Sequence, residues 1–163
     1  MPIIKSPVYT TLKKIGLGLV WEDKNDGIIL QKGVYLAEHA GVGLGYGFKW
    51  GALGPFSNKL EDDFYRLFEM KDYGKEISEV DDLNRLYKKE DTSDKIEKLE
   101  KTIELHKKDA KWFEVAGSLG FMNSNWSETK EKEELVNLAK KYMPKFEEEY
   151  VREVMDEIHF LIF

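Results

Sequence analysis

The feature that most constrains this chain is a glycine cluster between residues 41 and 54, which holds six of the 13 glycines among 163 residues. A helix does not continue through such a cluster, because each glycine costs about 1 kcal/mol relative to alanine. Tyr46, Phe48 and Trp50 occupy alternate positions within it, and a period of two is typical of an extended strand. The cluster therefore predicts a small β-hairpin or extended segment near residues 45–56, ended by Pro55.

Both flanks of the glycine cluster carry apolar residues at the three- and four-residue spacing of helices. Signals for helix ends accompany them. Ser6 before Pro7, and Ser57 after the Gly-Pro pair, predict helix starts. Asp26 is a second predicted cap, and Gly41 predicts a helix end. The pattern indicates a mainly α fold of six or seven packed helices.

The chain length of 163 residues suits one domain spanning residues 1–163. The most charged stretch, Lys88–Asp94, is the best candidate for a connection between two lobes, residues 1–90 and 94–163. The last five residues, His159–Phe163, are mostly apolar. We expect this segment to be buried in the core or to form a homodimer contact.

Composition narrows the class of protein further. Cysteine is absent, which excludes disulfides and Cys-ligated zinc. The first residues lack a signal-peptide pattern, and no apolar run approaches 18 residues, so we expect a cytoplasmic protein without a membrane partner. Charged residues reach 34%, with the Lys and Glu bias that is found in hyperthermophile proteins.

No motif predicts a catalytic, cofactor or metal site. The glycine cluster lacks the spacing of the dinucleotide fingerprint and of the P-loop. His39, His106 and His159 form no ligand pair at helical spacing. Asp62-Asp63 and Asp81-Asp82 are adjacent pairs, and adjacent helical side chains point about 100° apart. We therefore predict that the protein is not an enzyme and binds no cofactor.

DNA binding is the alternative that the sequence leaves open. Short helices followed by a small hairpin are compatible with a winged-helix N-terminal half. Residues 1–60 carry a balance of +3, although the whole chain carries −6 and contains only three arginines, which disfavours nucleic acid. The lysines that would face phosphate in this alternative are Lys13, Lys14, Lys24, Lys32, Lys49 and Lys59.

Several motifs together resemble the YwgA-like family of uncharacterised proteins and, more distantly, the Panacea domain of SocA-like antitoxins. The resemblance covers about residues 28–158. It is carried by Leu30-Gln31-Lys32 with Val34-Tyr35-Leu36, by Tyr46, Phe48 and Trp50, by Gly54-Pro55-Phe56-Ser57 with Leu60, Asp62 and Asp63, by Trp112–Ala116, by Met143–Phe146 and by Tyr150-Val151.

One departure from the family pattern lies between Trp50 and Gly54. The family usually has aromatic residues there, and this chain has Gly51, Ala52 and Leu53. The resemblance implies a protein that binds another protein, since Panacea antitoxins neutralise toxins by direct contact and the SocA type delivers a toxin to a protease. It implies no catalytic residues.

The aromatic residues of the Gly-Pro region are the candidate contact residues. A turn of this kind often serves only to pack aromatic side chains onto the core. Exposed aromatic side chains, in contrast, dominate the energetics of protein interfaces. We therefore predict a non-enzymatic protein-binding module of the antitoxin or adaptor type, with a toxin or protease client as partner. Its candidate partner-binding residues are Tyr46, Phe48, Trp50, Pro55 and Phe56.

Overall fold

The computed structural model describes residues 3–163 and confirms a mainly α fold with a small antiparallel hairpin. Eight α-helices and four short strands form in this range, together with a 3-10 turn at Leu83–Leu86. The helices are α1 (Pro7–Lys14), α2 (Lys24–Ala40), α3 (Asn58–Asp72), α4 (Thr92–Glu104), α5 (Ala110–Asn125), α6 (Lys132–Tyr142), α7 (Glu148–Glu157) and α8 (His159–Ile162). The strands are β1 (Ile3–Lys5), β2 (Lys49–Gly51), β3 (Gly54–Phe56) and β4 (Glu76–Ser78).

Helix starts follow the predicted caps with one correction. Ser6 accepts a hydrogen bond from Tyr9 N, and Ser57 accepts one from Leu60 N. The cap of α2 is Asp23, and the prediction of Asp26 was wrong. Asp26 lies three residues further on and returns its carboxylate to the backbone of Asp23, completing a capping box. Both acidic residues of a capping box resemble an N-cap in the sequence, and here the second of them was taken for the first.

Two central helices organise the core. α2 and α5 pack along each other, and α5 is buried around most of its circumference, with Trp112 and Phe113 fully inaccessible. A larger apolar cluster joins these helices to α4, α6, α7 and α8. A smaller cluster joins α2 to α1 and α3. Both apolar clusters therefore depend on α2, which explains why its sequence is apolar on nearly every face.

The C-terminal apolar segment contributes to the chain's own core. Leu161 and Ile162 are each 6% exposed, and Asn123 donates a hydrogen bond to the Ile162 carbonyl at 2.9 Å. Phe163 remains 45% exposed. The last two helices, α7 and α8, are separated at Ile158, and the total of eight helices in residues 3–163 exceeds the predicted six or seven. A homodimer contact at this segment stays a prediction.

The hairpin has the predicted position, and a second strand pair was missed. In β2 and β3, Gly51 pairs with Gly54, leaving Ala52 and Leu53 as a two-residue loop. β1 and β4 run parallel, with Ile4 beside Ile77. The sequence around β4 is polar enough to predict a loop, and its pairing requires a segment about 70 residues away. Within residues 3–163, no helix combines the length and the apolar character that a membrane crossing requires.

Candidate binding site beside Lys32

The first two predicted contact residues, Tyr46 and Phe48, pack onto the N-terminal half of the fold. The Tyr46 hydroxyl donates to Asp63 Oδ2 at 2.7 Å. The Phe48 ring meets the Tyr35 ring edge to face, with centroids 5.0 Å apart. Both side chains are half-buried. Their polar and aromatic contacts within the chain give them a packing role in addition to any contact with a partner.

Trp50 belongs to a different aromatic group. Its ring lies 4.8 Å from the Trp126 ring and 5.7 Å from the Phe121 ring, centroid to centroid. Trp126 in turn lies 4.7 Å from Tyr142, which is 43% exposed. This aromatic group joins the hairpin to the ends of α5 and α6. It is packed against the larger apolar cluster.

Pro55 and Phe56, in strand β3, form the third group of predicted contact residues. Pro55 is buried, and Phe56 is half-buried beside the Lys32 ammonium, 6.0 Å from the ring centroid to Nζ. The five predicted residues therefore divide among three neighbourhoods. Trp50, Pro55 and Phe56 lie on the hairpin, Tyr46 and Phe48 lie in the segment before it, and the five do not form one surface.

The hairpin is fixed to α2 and α5 by contacts that the sequence does not reveal. The buried Gln31 side chain donates to the Ser57 carbonyl at 3.0 Å and accepts from Ser57 N at 3.1 Å. Gly54 has a backbone φ angle of +95°, and a Cβ there would stand 2.3 Å from Ser118 Oγ on α5. Only glycine satisfies both demands. These contacts hold the hairpin loop over one end of α2.

A cavity of about 390 Å³ lies between the hairpin, α2 and the start of α3. Its walls are mainly apolar, and we call it the Lys32 cavity. α2 contributes Lys24, Gly27, Ile28, Gln31 and Lys32, while the hairpin contributes Gly51, Ala52, Leu53 and Phe56, and Trp21 and Glu61 complete the lining.

Lys32 is the most unusual residue of the cavity. Its side chain is 2% exposed, and no hydrogen bond or ion pair joins its ammonium to another of residues 3–163. Burial lowers the pKa of Lys32 from 10.5 to about 8, and the charges of Glu114 and Glu61 oppose this effect. Because a buried charge is normally paired, this unpaired ammonium is the strongest sign of a binding site in the described part of the chain.

The two neighbouring carboxylates differ in their own pairing. Glu114 already has a partner, since its Oε2 lies 2.9 Å from Lys145 Nζ. Glu61 Oε1 is buried and accepts no hydrogen bond from the described residues. Burial raises the pKa of the Glu61 carboxyl, while the Lys32 charge lowers it. The cavity thus offers an occupant the Lys32 ammonium, whereas Glu61 Oε1 is enclosed by the protein.

The rim of the cavity is apolar and partly exposed. Trp21 packs so closely on α2 that a Cβ at Gly27 would stand 2.6 Å from its ring. Tyr65 stacks on Trp21 with centroids 5.8 Å apart and is 60% exposed. Leu53, in the hairpin loop, is 37% exposed. An apolar cavity with an exposed apolar rim is the kind of surface that receives an anchoring side chain from a partner.

Sequence reasoning missed Lys32 because it was counted among surface lysines that would face phosphate. That assignment was wrong, since Lys32 is buried. A signal for its burial existed in residues 27–37, where Gln31 and Lys32 are the only strongly polar side chains in an otherwise apolar run. A helix that is apolar on every face is buried all round. A lysine within such a helix is therefore also expected to be buried.

Two of the three histidines, His39 and His106, make contacts within the chain, while His159 is exposed. His106 Nε2 lies 2.5 Å from Glu157 Oε2, and the His106 ring stacks on Trp112 with centroids 4.6 Å apart. His39 Nε2 lies 3.1 Å from the Leu161 carbonyl, and burial lowers the pKa of His39. Among the residues of the described range, no three His, Cys, Asp or Glu side chains are grouped closely enough to hold a metal ion.

No protein-family model, curated protein or solved structure matches this chain. The resemblance to the YwgA-like and Panacea proteins therefore stays a prediction.

Proposed function

We propose that this protein is a non-enzymatic, protein-binding module of the antitoxin or adaptor type, whose partner inserts an apolar anchor into the Lys32 cavity. The observation that carries the proposal is the cavity itself, which is apolar, open to solvent and bordered by the exposed Leu53, with the exposed Tyr65 stacked on the lining residue Trp21. Interfaces concentrate their binding energy where aromatic and aliphatic groups fill such pockets.

The hairpin supports this role by presenting its loop without taking part in a larger sheet. Ala52 and Leu53 are exposed at its tip, and the strand that follows them is anchored by the close approach of Gly54 to Ser118 and by the hydrogen bonds between Ser57 and Gln31. A rigid contact loop loses little conformational entropy on binding. The family departure at residues 51–53 falls on this same loop.

The test immobilises the protein, exposes it to an extract of the source cell and crosslinks whatever partner it captures. We expect Leu53→Asp to abolish the capture, because a carboxylate would replace an apolar contact at the rim. Leu105→Asp is the matched control, since Leu105 is 76% exposed and does not line the cavity. Both variants are expected to keep the wild-type circular dichroism spectrum. Equal capture by both variants would contradict the proposal.

Trp50→Ala and Phe56→Ala locate the contact surface. Phe56 lines the cavity, whereas Trp50 packs in the aromatic group around Trp126. Loss of capture in Phe56→Ala, with capture retained in a folded Trp50→Ala protein, places the partner at the cavity. The reverse result, with capture lost in Trp50→Ala and retained in Phe56→Ala, would place the partner at the aromatic group around Trp126 and contradict the role of the cavity.

The alternative, a winged-helix DNA-binding protein, is supported less well than a protein-binding module by the positions of the lysines. Lys32 is buried, Lys13 lies 3.7 Å from Glu79, and Lys59 lies 3.3 Å from Asp63. Paired lysines contribute less to phosphate attraction than free ones. A gel-shift assay with duplex DNA at two salt concentrations tests this alternative, which requires binding that weakens steeply with salt.

A further inference from the structure

The unpaired ammonium of Lys32 specifies the chemistry of whatever fills the cavity. An ammonium offers three hydrogen-bond donors and no acceptor. Since Lys32 lies among apolar walls without a partner in residues 3–163, an occupant with an anionic oxygen would satisfy it. A carboxylate matches this need, because charge-assisted hydrogen bonds are about twice as strong as neutral ones.

Glu61 also lines the cavity, but its Oε1 is enclosed by the protein and has almost no surface that an occupant could contact. Lys32 is therefore the polar group that selects the occupant.

The remaining walls specify an apolar side chain. Trp21, Ile28, Leu53 and Phe56 supply ring and aliphatic surface on several sides of the cavity. The volume of about 390 Å³ lies toward the lower end of the range for ligand pockets. An apolar amino-acid residue with a free carboxylate combines a small carbon side chain with an anionic oxygen on neighbouring atoms.

We propose that the Lys32 cavity binds an apolar amino-acid residue with a free α-carboxylate, with the carboxylate at Lys32 Nζ. As the anchor of a protein partner this rests on the proposed function, since the residue would be the last one of the partner's chain. A free apolar amino acid carries the same groups. Recognition of a terminal carboxylate is an established mode of peptide binding.

The probes are leucine, N-acetyl-leucine and N-acetyl-leucinamide. N-acetyl-leucine mimics the last residue of a peptide, and the amide lacks the negative charge. We expect N-acetyl-leucine to bind about tenfold or more tightly than the amide, as hydrogen bonds to charged groups imply. Binding is measured by calorimetry and by the shift of the Trp21 indole N–H resonance. The fully buried Trp112 indole serves as an internal reference.

A substitution tests the contact with Lys32. Lys32→Met removes the charge and nearly preserves the shape, and we expect it to reduce the affinity for N-acetyl-leucine about tenfold or more. Lys71→Met is the matched control, because Lys71 is an exposed lysine on α3 that does not line the cavity.

The outcomes separate this inference from the proposed function. Binding of leucine in preference to N-acetyl-leucine supports the site and identifies a free amino acid as its source. Equal binding of the acid and the amide, unchanged affinity in Lys32→Met, or no saturable binding of either acid overturns the inference. In that last case, capture that still depends on Leu53 leaves the protein-binding role intact with a different anchor.

Discussion

Lys32 lies in a helix that the rest of the chain covers on every side, and its burial has a consequence for stability. The stem of the side chain packs against Gly117, where a Cβ would stand 2.9 Å from Lys32 Cγ. The ammonium end lies near the Phe56 ring. Glu61 and Glu114 are the charged groups that act on it. Because neither forms an ion pair with it, we expect the charged form of Lys32 to destabilise the folded protein.

The first prediction concerns the pH dependence of stability. The pKa of Lys32 is about 8 in the folded protein and 10.5 in its ordinary state. Between these values the unfolded chain binds more protons, so the free energy of unfolding rises with pH. Below about pH 8 the full penalty applies, at most about 3 kcal/mol. Lys32→Met should therefore stabilise the protein near pH 7 and remove the rise.

Urea denaturation at about pH 7 and about pH 10 measures this effect. In the wild type the free energy of unfolding should be larger at the higher pH, after subtraction of the change seen in Lys32→Met. Lys71→Met is again the control, and the loss of its exposed side chain should change stability by no more than about 0.5 kcal/mol. A Lys32→Met protein that is less stable than the wild type near pH 7 would refute the prediction.

At the scale of elements, the hairpin of β2 and β3 depends on one close approach to α5. Gly54 combines a positive φ with a position where a methyl group would meet Ser118 Oγ. Gly45 shares the positive φ, at +83, but has open space around the missing Cβ. The two glycines thus separate the effect of backbone conformation from the effect of packing.

The second prediction follows from this pair. Gly45→Ala should destabilise the protein by about 1 kcal/mol, because alanine is strained at positive φ. Gly54→Ala should cost about 1–3 kcal/mol more, because the added methyl overpacks the contact with α5. Chemical denaturation of both variants measures the difference. Equal losses would show that the hairpin moves away from Ser118 without penalty.

At the scale of the whole molecule, Glu157 connects α7 to the segment that leads into α5. Its Oε2 lies 2.5 Å from His106 Nε2, and its Oε1 accepts from Trp112 Nε1 at 3.3 Å. His106 and Trp112 are also stacked nearly parallel, at 7°. One carboxylate thus satisfies two rings at the edge of the larger apolar cluster.

The third prediction is a loss of stability in Glu157→Ala. The buried Trp112 N–H would lose its acceptor, and an unsatisfied buried donor costs about 1–3 kcal/mol. Glu153→Ala is the matched control, because Glu153 is an exposed glutamate on the same helix. Thermal denaturation should show a clear decrease for Glu157→Ala alone. Similar melting temperatures for the two variants would exclude a structural role for this contact.

Local signals predicted the elements of this fold better than they predicted its site. Ser6, Ser57 and Gly41 set helix ends through neighbouring residues, and their roles are readable in sequence. The Lys32 cavity combines Trp21, Lys32, Phe56 and Glu61 from separate parts of the chain. Apart from its apolar neighbours, no residue close to Lys32 in the sequence indicates that a hairpin and α5 will cover it. The parallel strand pair was missed for the same reason.

Gly117 packs against the stem of Lys32 from α5, a helix that does not line the cavity. A methyl group at this position would press on the flexible stem of Lys32 and shift its charged end. In the proposed site, the space left for the bound molecule would then change, although every wall residue stayed the same. Selectivity for size in that site would thus depend on a residue that the bound molecule never touches.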